Sequence, residues 1–428
     1  MSIPSLPAAL PATRRHILGG IGLVLTASLA AAETSATPTG DAVRPFKAAI
    51  PDSALADMRR RVRETRWADA EPVADASQGV QRAKLQALMR YWGDGYDWRK
   101  IEARLNALPM FVTQIDGLDI QFIHVRSRHA NALPMIMTHG WPGSILEFLK
   151  VIGPLSDPTA HGGKAEDAFH LVIPSIPGFG FSAKPTTVGW GSDRTGRAWA
   201  TLMRRLGYER YVSQGGDCGS VISQRMALQK VPGLLGVHLN MPATVPAEIV
   251  RILAAGDPAP ADLSPQERKA FGQLEAFYRD SAGYAQMMNT RPQTIGYSLV
   301  DSPVGMAAWM YEKFQTWTYS GGDPERVLTR EEMVDDIALY WLTGTGASAA
   351  RIYWEDHTNN FNARGVIDTP VAVTVFPGEI YCAPRSWAER CYSDLIYFNE
   401  ASNGGHFAAW EQPAPFAQEV RAAFRTLR

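Results

Sequence analysis

Gly215-Gly216-Asp217-Cys218-Gly219 sets a carboxylate among glycines, directly after the apolar run Tyr211 to Gln214 and just before a helical pattern from Val221. Small residues flanking a central side chain permit the tight strand-to-helix turn that presents a nucleophile. No Gly-x-Ser-x-Gly occurs in the chain, so the nucleophile on offer is Asp217. That choice selects the chemistry. A serine attacking a saturated carbon would leave an ether, which an activated water cannot cleave. A carboxylate leaves an ester, whose carbonyl water can attack. The pentapeptide therefore points to displacement at an alkyl carbon, as in epoxide opening or dehalogenation. Taken alone, it is equally an ordinary Gly-Asp turn.

Other residues complete a constellation. Thr138-His139-Gly140-Trp141-Pro142-Gly143-Ser144 follows another apolar run, where the backbone N–H of Trp141 could join that of Cys218 as an oxyanion hole. His139 is expected to brace the turn rather than react. Asn403-Gly404-Gly405-His406-Phe407 follows the last apolar run, which makes His406 the candidate base among nine histidines. Val371 to Phe376 leads into Pro377-Gly378-Glu379, so Glu379 would orient the imidazole, with Glu400 a distant second. The order Asp217, Glu379, His406 is that of the α/β-hydrolase fold. Opening an epoxide also needs an acid for the ring oxygen. Tyr284 and Tyr353 are the candidates, although composition alone makes such tyrosines ordinary packing residues.

Positioning these groups requires a sheet. Short β-branched runs at Ile120–His124, Pro134–Thr138, Phe169–Ile173, Tyr211–Gln214, Leu235–Leu239, Val371–Phe376 and Leu395–Phe398 alternate with helical patterns. That alternation predicts an α/β fold with a mainly parallel sheet. Residues 243–360 are mostly helical in pattern and too long for a loop, so they are expected to form a cap over the strand ends. The core is thus split into 119–242 and 361–428. Three helices are expected ahead of it within 44–118, at Leu55 to Arg63, Gln81 to Tyr91 and Asp97 to Leu108. Arg59, Arg60, Arg61 and Arg63 form the solvated face of the first.

The chain has 428 residues, 46% hydrophobic and 20% charged, with a net charge of −1. It can bury a large core, and it lacks the basic excess that nucleic acid demands. No CxxC or HExxH spacing suggests a metal. Residues 1–32 combine Arg14-Arg15, an uncharged stretch and Ala30-Ala31-Ala32, the pattern of an export signal of twin-arginine type. The stretch is short for a membrane span. Residues 33–43 follow as a polar linker. The expected location is therefore the bacterial periplasm, without stable membrane insertion of the mature chain. Cys382 and Cys391 bracket a short helical pattern whose rise would hold them about 13 Å apart, too far for a disulfide, so free thiols are expected.

From about residue 44 to 424 the chain resembles the microsomal-type epoxide hydrolases, the group that includes juvenile hormone epoxide hydrolases. The likeness rests on Arg44-Pro45-Phe46, Thr65-Arg66-Trp67, Tyr91-Trp92, Tyr96-Asp97-Trp98-Arg99 and His139 to Ser144. It continues through Pro174 to Ser182, Gly215-Gly216-Asp217, Asp301 to Gly305 and Gly404 to Ala409. The resemblance implies an epoxide hydrolase N-terminal region over 44–118, and hydrolysis of a small apolar epoxide by water to a diol without metal or organic cofactor. It implies Asp217 as nucleophile, His406 as base, Glu379 as charge-relay acid, and Tyr284 and Tyr353 as ring-opening proton donors. Detoxification and catabolism of aromatic hydrocarbons are the settings it suggests. Relatives commonly have Trp where this chain has Cys218, and Ile and Gln where it has Met287 and Met288, changes expected to reshape the pocket. Two other readings remain open: a haloalkane dehalogenase using the same nucleophile, and a non-catalytic hydrolase-like protein that binds a small ligand.

Overall fold

The computed structural model describes residues 40–357 and 361–428. The expected leader, 1–32, and residues 33–39 of the linker lie outside the described residues.

Nine strands form one sheet: β1 Arg44–Pro45, β2 Met110–Ile115, β3 Leu118–Val125, β4 Leu133–Thr138, β5 Phe169–Pro174, β6 Tyr211–Gly215, β7 Leu234–Leu239, β8 Val371–Val375 and β9 Leu395–Glu400. Their order is β1-β2-β3-β5-β4-β6-β7-β8-β9. From β5 to β9 every pairing is parallel, whereas β1, β2 and β3 are antiparallel additions at one edge. All seven runs expected from the sequence are strands. The sequence reading missed β2, although its signal was present. Met110–Ile115 pairs with β3 across Asp116-Gly117, both at positive φ (50° and 81°), the two-residue turn that Asp-Gly favours.

β6 and β8 are buried along their whole length, which is why they read as unbroken apolar runs and not as alternating ones. The chain leaves β4 toward β5 and leaves β6 toward β7, on opposite sides. Adjacent strands whose connections diverge open a crevice at their carboxyl ends. The segment between β7 and β8 is helical, and includes Gly283–Thr290, Pro303–Trp317, Arg330–Thr343 and Gly346–Asp356.

Ahead of the sheet, helices Asp52–Arg63, Arg82–Arg90 and Trp98–Asn106 stand close to the expected positions. The first buries Leu55, Met58 and Val62. Arg60 and Arg63 face solvent, while Arg59 and Arg61 are half-buried; Arg60 and Arg61 both pair with Asp57, and Arg61 also reaches Asp301 at 3.4 Å, contacts that add little stability at such exposure. These helices pack on Pro303–Trp317 and Arg330–Thr343, where the Tyr96 hydroxyl donates to Asp335 at 2.8 Å.

Candidate active site

Asp217 sits where β6 turns into helix Asp217–Leu228. Its φ is 49°, in the left-handed region, which costs a non-glycine residue of the order of 1 kcal/mol and aims its side chain out of the turn. The turn demands glycine beside it. A Cβ on Gly219 would lie 1.9 Å from the Thr138 carbonyl oxygen, and one on Gly140 would lie 2.3 Å from Asp217 Oδ1. The β4 exit thus presses directly on the carboxylate, and the Trp141 N–H donates to Asp217 Oδ1 at 2.9 Å. Cys218 is the second residue of the helix, so its N–H belongs to the first turn, which has no carbonyl partner within the helix.

His406 follows β9. Its Nδ1 lies 2.6 Å from Glu379 Oε1, and its Nε2 lies 3.8 Å from Asp217 Oδ2. The loops carrying the acid and the imidazole are tied together, since Gly378 N–H donates to the Gly404 carbonyl at 3.0 Å. The cap also holds this loop: His406 N–H donates to the Trp317 carbonyl at 2.9 Å, and the two rings are 4.8 Å apart. Glu411 accepts from the N–H groups of Phe407 and Tyr319. Burial opposes charging the His406 ring, but the Glu379 carboxylate and hydrogen bond, with Asp217, outweigh it and raise its pKa to about 9. Glu400, the distant second for the acid, is exposed at the end of β9.

His139 braces the β4 exit as expected. Its Nδ1 bonds the Gly140 carbonyl oxygen and its Nε2 accepts from the Ile176 N–H, which fixes the tautomer. Burial lowers its pKa to about 4, so it stays neutral.

Tyr284 and Tyr353 lie on helices Gly283–Thr290 and Gly346–Asp356, with ring centroids 6.0 Å apart. The Trp141 ring stacks on Tyr284 at 5.2 Å and meets Tyr353 edge-on at 6.1 Å. Both hydroxyls are pushed well above the ordinary phenol range, first by burial and with a contribution from the Asp217 charge. They stay protonated and can donate. Asp217 and both tyrosines border one cavity of about 360 Å³, with Phe277, Asn289 and Ile380 also in its wall. Met287 and Met288, expected to reshape this pocket, do not line it. Met287 faces solvent and Met288 packs into the core, so the helix offers Gln286 and Asn289 instead.

Two charged residues that the sequence reading passed over border the site. Lys313, almost wholly buried, holds Nζ 4.1 Å from the centre of the Tyr284 ring and pairs with Glu312. Glu147 lies beneath the β4 exit in a wall shared with Asp217 and His406. The only signal for Glu147 was an acid inside the apolar run Ile145-Leu146-Glu147-Phe148. Cys218, Cys382 and Cys391 are free. Among the described residues, no group of three His, Cys, Asp or Glu side chains is arranged to hold a metal, and no helix is long and apolar enough to cross a membrane.

The model of the epoxide hydrolase N terminus matches residues 43–148, and that of the alpha/beta hydrolase fold matches residues 134–342. A protein of Stigmatella aurantiaca bearing an epoxide hydrolase name is 55% identical over 386 residues, 90% of this chain and 86% of that one. Epoxide hydrolase 1 of Oryctolagus cuniculus is 36% identical over 406 residues, 89% of this chain and 88% of the other. Among solved structures, the epoxide hydrolase of Aspergillus niger superposes with a TM-score of 0.79 at 32% identity, over 91% of this chain and 97% of that one. The juvenile hormone epoxide hydrolase of the silkworm Bombyx mori gives 0.81 at 26% identity, over 90% and 96%.

Proposed function

The chain belongs to the epoxide hydrolase family and hydrolyses epoxides, and from that premise we propose that it works through a covalent ester on Asp217 with the product a vicinal diol. The observation that carries this reading is the placement of one carboxylate between two sets of groups. The phenols of Tyr284 and Tyr353 share its cavity, and the paired imidazole of His406 stands 3.8 Å from its second oxygen.

An Asp217 oxygen attacks one epoxide carbon, the C–O bond breaks, and a tyrosine gives its proton to the departing ring oxygen. The other tyrosine holds the developing alkoxide. Before this step the Asp217 charge helps to keep His406 protonated. Esterification removes that charge, so the imidazole pKa falls and the ring becomes a base when one is needed. His406 then takes a proton from water, which attacks the ester carbonyl. The Trp141 and Cys218 N–H groups receive the oxyanion. Glu379 fixes the tautomer and stabilises the imidazolium. The aromatic wall supports epoxides of aromatic hydrocarbons as substrates, with detoxification or catabolism of such compounds as the setting. Residues 1–32 support export to the periplasm by the twin-arginine route.

The test is His406→Gln, mixed with styrene-type, stilbene-type and terpene epoxides and followed by intact-protein mass spectrometry. A lasting adduct of one substrate mass on the Asp217 peptide is expected, and none with Asp217→Asn. Turnover by His406→Gln without an adduct would overturn the reading. Bromoalkanes with bromide release as readout separate dehalogenation from epoxide opening, and a lack of diol from every epoxide would leave only ligand binding.

A further inference from the structure

Asp217 borders two cavities, and among the described residues it is the one member common to both walls. The larger holds the tyrosines. The smaller is walled by Gly140, Glu147, Gly216, Asn240 and His406, together with aromatic and alanine side chains. Its room is about 10 Å³, roughly that of one water molecule, which requires two to four polar partners.

Those partners are present. Asn240, at the exit of β7, accepts from Gln214 Nε2 through Oδ1 at 3.1 Å, which leaves its amide N–H groups for other acceptors. Glu147 is nearly buried, and its carboxyl fills the space beside Gly143, where a Cβ would lie 1.6 Å from Oε1. Burial pushes the Glu147 carboxyl well above the usual range. Asp336 and Asp217 push the same way, against His406 and the Gly140 N–H, so the charged form is disfavoured there. The groups facing it are thus Asp336, held by the Ser144 hydroxyl at 2.6 Å, and the Asp217–His406 pair.

We propose that Glu147 and Asn240 hold the water that hydrolyses the ester, so that substrate and water approach the Asp217 carboxyl from different cavities. The inference rests on the Asp217 ester. The water oxygen forms a bond to the ester carbonyl carbon as one of its protons passes to His406 Nε2. The bond from that carbon to the diol oxygen then breaks, the electron pair leaves with the diol oxygen, and that oxygen takes a proton from the imidazolium. The Asp217 acid so formed carries one oxygen from water; it loses water's second proton, which replaces the one the tyrosine gave up in ring opening, and Asp217 regains its carboxylate. Glu147 transfers no proton in this sequence and acts as a positioning residue.

The test separates the half-reactions by quenching and intact-protein mass spectrometry with styrene oxide. Growth of the adduct gives alkylation, and its decay after dilution gives hydrolysis. In Glu147→Met, decay is expected to slow at least about 10-fold, the scale on which misplacing a reacting group acts, while alkylation changes less than about 3-fold. Asn240→Leu should behave alike. Glu147→Gln, which retains a donor and an acceptor, should recover at least half of the loss on a logarithmic scale. Unchanged decay in the Met and Leu variants would overturn the inference, as would equal slowing of both half-reactions. Should Glu147→Met not fold, Asn240→Leu decides alone. If the wild type and His406→Gln form no adduct at all, it is the ester reading that fails, not the water site.

Discussion

Replacing Glu379 with Gln keeps the side chain's shape and removes one charge. Histidines buried elsewhere in this protein indicate what the charge accomplishes. Burial lowers His139 to about 4 and His238 to about 3. His406 is as deeply buried, yet the Glu379 carboxylate 2.6 Å away, with Asp217, lifts it to about 9. The interval from an ordinary 6.5 to about 9 is roughly 3 kcal/mol in favour of the imidazolium. In the variant that support is lost, and an amide N–H can donate to Nδ1. The ring proton would then sit on Nε2, the nitrogen that must accept from water. Loss of the orienting charge in a comparable triad costs about 10⁴-fold, so ester hydrolysis should slow by about 10³–10⁴. Alkylation, which needs no base, should change less than about 10-fold. In the assay, Glu379→Gln is mixed with styrene oxide, and adduct growth and decay are followed by intact-protein mass spectrometry. Near-stoichiometric adduct should persist. Wild-type decay in Glu379→Gln, with slow decay in Glu400→Gln, would refute the reasoning and move the acid to β9.

Tyr284→Phe and Tyr353→Phe should each slow alkylation by about 10²-fold or more and leave adduct decay nearly untouched; unchanged single-turnover alkylation in both would make these rings packing alone. Adduct decay in the wild type should rise with pH and level off below about 9, because the base form of His406 is required and the ester has removed the Asp217 charge that joins Glu379 in lifting it to about 9 in the free enzyme. Decay that falls as pH rises would contradict this order of events. Changing Arg14 and Arg15 to Lys should retain the protein in the cytoplasm, as read by fractionation; undiminished export would point to the general secretory route.

Much of this site was legible because its chemistry imposes local sequence. Asp217 must stand among glycines, since a Cβ on Gly219 would meet the Thr138 carbonyl. The glycines around His406 and Glu379 mark loops whose backbones run together, Gly378 bonding Gly404. Fully buried strands such as β6 and β8 announce themselves by apolar runs. What was not legible depends on distant contacts. Glu147 acquires its place from Asp336 and His406, 189 and 259 positions further along the chain. Lys313 reads as one more charge on a helix until the fold lays Tyr284 beneath it. Met287 and Met288 depart from relatives, yet on this helix Met287 faces solvent and Met288 the core, so neither borders the cavity. β2 was legible as well, because Asp116-Gly117 between two apolar runs is a hairpin signal.

The covalent ester is tested most directly by a single turnover of wild-type enzyme in water enriched in heavy oxygen, with enzyme in excess over substrate. If Asp217 is the nucleophile, the oxygen added to the first diol comes from its carboxylate and is unlabelled. The label appears instead in the Asp217 peptide, one oxygen per turnover. A fully labelled first diol with an unlabelled peptide would mean direct attack by water and would contradict the account.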